Sequence, residues 1–131
     1  MLSSICKGQM DPLIKKGTSM AADCLFCKII NKEVPAKIID ENQDVLVIED
    51  IAPKAPVHYL IIPKKHIKDI QAIKEEDADL MAKILFVAQK LAQKLSGSQS
   101  FRLVVNNGED AGQSIFHMHW HFLSGKKMLD L

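Results

Sequence analysis

Cysteine is scarce in this chain: Cys6, Cys24 and Cys27 are all there is in 131 residues. So small and odd a set excludes a disulfide framework and points to thiols or metal ligands in a reducing compartment, the cytoplasm. An excess of one charge is missing too, since Lys+Arg 17 against Asp+Glu 16 leaves a formal +1. That balance gives no electrostatic footing for a nucleic-acid groove or a membrane surface as the main partner. No apolar run approaches the ~20 residues that span a bilayer, and residues 1–22 lack the apolar core of a secretory signal. There is no internal repeat or low-complexity tract, and the length suits one domain. Hydrophobic residues at 47% disfavour disorder of the chain as a whole.

What is present is a series of short apolar runs between polar turns. Residues 1–22 show neither helical nor strand periodicity and read as a disordered N-terminal extension, with Met20 as an internal candidate start. Cys24–Asn31 reads as a short helix with Leu25, Phe26 and Ile29 inward. Ala36–Ile39 and Asp44–Glu49 read as strands around the turn Asp40–Gln43. Val57–Ile62 is a third strand, closed by Pro63. Glu75–Leu95 carries Leu80, Ile84, Val87, Ala88, Leu91 and Leu95 at helical spacing, with acids at its start and Lys90 and Lys94 near its end. Phe101–Asn106 and His117–Leu123 complete five strands, with Asn107-Gly108 as a hairpin signal. The order argues an α+β fold with an antiparallel sheet.

Three of the five histidines fall within five residues, in Ser114–Leu123, SIFHMHWHFL. Strand alternation puts His117, His119 and His121 on one face and the apolar Phe116, Met118, Trp120 and Phe122 on the other. One ion shared by all three is disfavoured, because the Cα atoms of His117 and His121 stand ~13 Å apart at the strand rise. Neutral imidazole is a nucleophile near physiological pH. The preceding GEDAGQS, Gly108–Ser114, offers two glycines, a hydroxyl and free amides that can cradle phosphate oxygens. A phosphoryl centre is therefore the favoured target. Taken alone, His58 reads as a half-buried strand histidine, Asp50 as a turn residue, and the Cys24-x-x-Cys27 pair as zinc ligands or small buried hydrophobes.

The motif His117-Met118-His119-Trp120-His121-Phe122-Leu123 resembles the signature of the histidine triad (HIT) family. Asp50-Ile51-Ala52-Pro53, Ala55-Pro56-Val57-His58, Ile62-Pro63-Lys64-Lys65-His66 and Gly112-Gln113-Ser114 resemble its Hint branch, the nucleoside phosphoramidases. The resemblance runs from about Cys24 to Gly125 and implies a HIT domain over residues 23–131. It implies a five-stranded antiparallel sheet with a short and a long helix, dimerising into a ten-stranded sheet. It also implies hydrolysis of purine nucleoside 5′-phosphoramidates such as adenosine monophosphoramidate through a nucleotidyl-histidine intermediate, with no metal required for catalysis. His119 would be the nucleophile, His117 and His121 its neighbours, and His58 would orient the triad. Ser114, Gln113 and Gly112 would hold phosphate oxygens or the leaving group, with Asn106 beside them. Asp50 and Ile51 would meet the ribose, and Leu25, Phe26 and Ile29 would wall the base pocket.

Resemblance to microbial members further implies a structural zinc on Cys24, Cys27, His66 and His117. The chain carries Lys126-Lys127-Met128 where animal Hint-type proteins have a longer tail with a Trp, which leaves the leaving-group preference open. Two other readings share these residues. One is a dinucleoside polyphosphate hydrolase or nucleotidyl transferase, and the other is a nucleotide- or zinc-binding interaction module with little turnover.

Overall fold

The computed structural model describes residues 23–128; the expected N-terminal extension lies outside the described residues. In chain order the elements are α1 (Leu25–Ile30), β1 (Ile38–Glu41), β2 (Val45–Glu49), β3 (Val57–Pro63), α2 (Ala78–Gln93), β4 (Arg102–Val105) and β5 (Trp120–Ser124). The strands form one sheet in the order β1-β2-β3-β5-β4, with every pairing antiparallel. This is the expected sheet with one short and one long helix.

Period-two alternation sorts the side chains onto two faces. Leu46, Ile48, Leu60 and Ile62 pack with Phe26, Ile29 and Ile30 of α1. Val45, Val47, Ile61 and Phe122 pack with Ile84, Val87, Ala88 and Leu91 of α2. Both faces of β2 and β3 are thus covered, which is why VLVI and LII are unbroken apolar runs instead of half-polar strands. The opposite side of α2 leaves Leu85 and Phe86 exposed.

Several boundaries differ from expectation, each for a local reason. Asp40 and Glu41 belong to β1, because the turn is tightened by Asn42, whose Oδ1 accepts from the N–H groups of Asp44 and Val45 at 2.8 Å each. Glu75–Asp77 is a 3₁₀ turn leading into α2, where the Asp77 carboxylate accepts from the Lys74 N–H and pairs with Lys65. Asn107-Gly108 is no tight hairpin: β4 and β5 are joined by residues 106–119, and Asn107 Oδ1 accepts from the Ile70 N–H instead. Pro63 ends β3 inside the ladder, at a position that β5 does not reach.

Consequently β5 starts at Trp120, not His117. Residues 117–119 cross the end of β3, and the Met118 N–H donates to the carbonyl of Ile67 at 2.6 Å. Gly125, at φ +97°, lets the chain turn off β5 against Pro56, where a Cβ would lie 2.8 Å from the proline Cβ.

Candidate active site

The histidine face is not the open strand surface that alternation alone suggests. His117 is fully buried and His119 is 9% exposed, because α1 lies over this side of the sheet and brings the Phe26 ring to 4.9 Å from that of His119, edge to face. The 14-residue connection from β4 to β5 supplies His117 and His119, while β5 supplies His121. The three rings go to different places.

His117 turns inward. Its Nε2 donates to the carbonyl of Pro63 at 2.7 Å, so the lone pair is on Nδ1. That atom lies 3.2 Å from Cys24 Sγ, 3.6 Å from Cys27 Sγ and 3.2 Å from His66 Nδ1, and His66 Nδ1 lies 3.3 Å from Cys27 Sγ. All four donor atoms fall within 4.8 Å of one another. A tetrahedral zinc with bonds of about 2.0–2.3 Å sets its ligands roughly 3.3–3.8 Å apart, so this donor set fits that ion. Cys24 is a free thiol, and both sulfurs would ligate as thiolates. Burial raises the Cys24 thiol pKa, partly offset by N–H groups at the start of α1. It also holds His66 below its ordinary value and drives His117 to about 3, despite the opposing pull of the Pro63 carbonyl.

His119 is the central ring. Its Nδ1 donates to the carbonyl of His117 at 2.8 Å, which places the proton there and the lone pair on Nε2. Burial lowers its pKa, opposed by that carbonyl and by Asp50, so the ring is neutral near pH 7.

His121 faces the other way, into a hydrogen-bonded chain. The backbone N–H of Lys54 donates to His58 Nδ1 at 3.0 Å, so His58 carries its proton on Nε2. His58 Nε2 lies 2.9 Å from His121 Nδ1 and 3.4 Å from an Asp50 carboxylate oxygen. His121 therefore accepts at Nδ1 and keeps its own proton on Nε2. Burial, then the neighbouring His119 and His58, lower His121 to about 4, with Asp50 opposing; burial also lowers His58.

A cavity of about 810 Å³ opens over His119 and His121, large within the ~300–1,000 Å³ typical of small-molecule sites. Phe26, Asp50, His58, Asn106, Gly112 and Ser114 also line it. Four expected contacts are not brought to it. Gln113 is buried within its own loop, its amide donating to the carbonyls of Lys68 and Ile115 and its oxygen accepting from the Gly108 N–H. Ile29 is spent on the core, Leu25 is 43% exposed on the outer side of α1, and Ile51 is 99% exposed beside the opening. The Lys54 amide is a contact outside the expected set, and its only signal in the sequence is the proline-bounded loop Pro53–Pro56 before His58.

Residues 23–130 match the family described as the scavenger mRNA decapping enzyme C-terminal binding domain. A curated relative, an uncharacterized HIT-like protein of Synechocystis, is 44% identical over 107 residues, 82% of this chain and 94% of that one. Among solved structures, a HIT family hydrolase of Legionella pneumophila is 46% identical with a TM-score of 0.77, covering 81% of this chain and 96% of the other. A HIT family hydrolase of Clostridium thermocellum is 44% identical with a TM-score of 0.78, covering 83% and 96%. A histidine triad protein of Clostridium difficile is 36% identical with a TM-score of 0.79, covering 90% and 99%. With its three-histidine motif, its sheet and these relatives, the chain belongs to the histidine triad (HIT) family.

Proposed function

We propose that the protein is a Hint-type hydrolase of purine nucleoside 5′-phosphoramidates, working through a nucleotidyl-His119 intermediate. The observation that carries this reading is the tautomer of His119: a neutral ring, proton fixed on Nδ1 by a backbone carbonyl, lone pair on Nε2, in a ring that lines the cavity. Attack by Nε2 forms a P–N bond to His119 and breaks the bond from phosphorus to the leaving amine. The substrate's phosphoryl charge favours one extra proton on the His58–His121 pair beside Asp50, and the departing nitrogen takes it. Water then attacks phosphorus, the P–Nε2 bond breaks, and the water proton returns to the pair. Ser114, Asn106 and the Gly112 amide are suited to the phosphate oxygens, and Asp50 to the ribose.

Zinc on Cys24, Cys27, His66 and His117 would be structural, supplying a cross-link between α1 and the loop that carries His117 and His119. The exposed Leu85 and Phe86 of α2, with β4 at the edge of the sheet among the described residues, support a homodimer through that side, and the cysteine usage supports the cytoplasm. No helix among the described residues is long and apolar enough to cross a membrane.

The test is mass spectrometry of protein quenched during turnover of purine and pyrimidine phosphoramidates. A nucleotide adduct on the peptide carrying His119, stronger for purines, is expected. Steady hydrolysis with no adduct on that peptide would overturn the intermediate. Elemental analysis under reducing conditions should find roughly one zinc per chain, and less than about a tenth of that would remove the metal from the account.

A further inference from the structure

The cavity over His119 continues beyond the triad. Along β5, His121 is followed on the same face by Leu123, one pleat repeat or about 7 Å further on, paired with Arg102 of β4. Past Leu123 the chain turns at Gly125 and runs back as a strap, residues 125–128, that closes this end of the cavity with Lys126, Lys127 and Met128. The strap is held at both ends. Gly125 sits against Pro56, and the Met128 carbonyl accepts from the guanidinium of Arg102, the chain's single arginine, at 3.2 Å.

Charge is concentrated here although the whole chain is nearly neutral. Among the described residues, Lys54, Arg102, Lys126 and Lys127 line the cavity against one carboxylate, Asp50. Lys126 and Lys127 are exposed, and neither is engaged in an ion pair among the described residues. The opposite end is apolar, formed by Phe26, Leu60 and Ile115. A second cavity of about 640 Å³ lies on the far side of the same strap, lined by Ser96, Ser98 and Ser100 together with both lysines and Arg102.

The two ends of one cavity therefore suit different chemistry. A flat nucleobase belongs against Phe26. His121, which hands a proton to the departing group, lies between the nucleophile and the strap, so the departing group is directed toward the lysines. We propose that Lys126 and Lys127 form a cationic subsite for an anionic substituent, carboxylate or phosphate, on the leaving group. This rests on His119 being the nucleophile. The subsite selects substrates by charge, and the anchored backbone of the strap keeps both cations at this end of the cavity.

The experiment compares adenosine 5′-phosphoramidates of three similar-sized amines: β-alaninamide, β-alanine and 2-aminoethyl phosphate. The wild-type protein is set against Lys126→Glu/Lys127→Glu and Lys126→Ala/Lys127→Ala, at low and high salt. The wild type is expected to favour an anionic amine, and the double Glu variant to lose about tenfold in kcat/KM for it. The neutral amide should stay within about twofold, and high salt should shrink the wild-type preference. The carboxylate and phosphate arms decide which anion the strap takes. Equal kcat/KM ratios in all variants, with hydrolysis intact, would overturn the subsite and leave the nucleophile reading standing. If nothing is hydrolysed, that reading fails instead, and calorimetric binding of the three compounds still decides the subsite. Weaker binding of the anions to the Glu variant supports it, and unchanged binding rejects it.

Discussion

His117 and His121 lie four residues apart with His119 between them, yet their surroundings are opposite. On the His117 side two sulfurs and two imidazole nitrogens converge in a largely buried cluster, with one ring nitrogen tied to a backbone carbonyl. On the His121 side the partners are another imidazole, a carboxylate and a backbone amide, and the rings border the open cavity. Thiolate and imidazole donors, mostly buried, suit a structural ion. Oxygen and nitrogen donors in a chain open to substrate suit protons that must move. On the proposed reading one short motif supplies an anchor and a relay, and the His117 carbonyl accepts from Nδ1 of His119.

The largest expected effect lies at the junction of the two sides. His119→Ala should lower phosphoramidate turnover by at least about a thousandfold while the circular dichroism spectrum and melting curve stay close to wild type. Turnover within tenfold of wild type would leave the relay with nothing to serve. Next comes the relay side: His58→Leu should cut kcat about a hundredfold with little change in KM. His58→Asn, which can still bond both neighbours, should recover part of that loss and move the acid limb of the pH profile. Equal loss in kcat for both variants would make His58 a packing residue only.

On the anchor side the effect should appear in stability instead of rate. Cys24→Ser should release zinc and destabilise the fold by about 2 kcal/mol, read as a lower urea midpoint. In the folded protein kcat should remain within about threefold of wild type. A collapse of kcat with unchanged stability would reverse the roles assigned to the two sides.

The smallest effect is pH-linked. His121 is held at about 4 and His58 below its ordinary 6.5, mainly by burial. In the unfolded chain both take up protons near pH 6.5, so the unfolded state binds more protons below that value. Their contribution to stability is full above pH 6.5 and is lost as pH falls toward 4. Urea midpoints across that window should fall with acidity, by no more than about 1 kcal/mol per pH unit from His121 after allowance for its partial exposure. The slope should flatten in His121→Asn; a slope unchanged by that substitution would place the titrating group elsewhere.

Much of this was legible in the residues because local patterns and tertiary packing agree. The α2 stripe from Ile84 to Leu91 announces its element and its core face, and the unbroken apolar Val45–Ile48 run announces a strand covered on both sides. The triad was visible as chemistry, but its setting was not. Alternation predicts an exposed histidine face, and only the placement of α1 over the sheet, a contact between residues some ninety positions apart, buries His117 and His119. Gln113 misled for a similar reason. An amide beside a glycine in a phosphate-type loop looks like a ligand, whereas its three hydrogen bonds hold residues 108–115 in shape. The Lys54 amide left no mark in the sequence beyond its proline-bounded loop, since every residue except proline carries that group.

That last contact has a consequence for how the protein tolerates change. The orientation of the whole imidazole chain is written into the curvature of residues 50–58, not into any side chain at position 54. Exchanging the lysine for any other N–H-bearing residue preserves the wiring so long as the bend survives. Proline alone deletes the connection, freeing His58 to swap its proton between nitrogens and leaving the neighbouring ring without a defined direction.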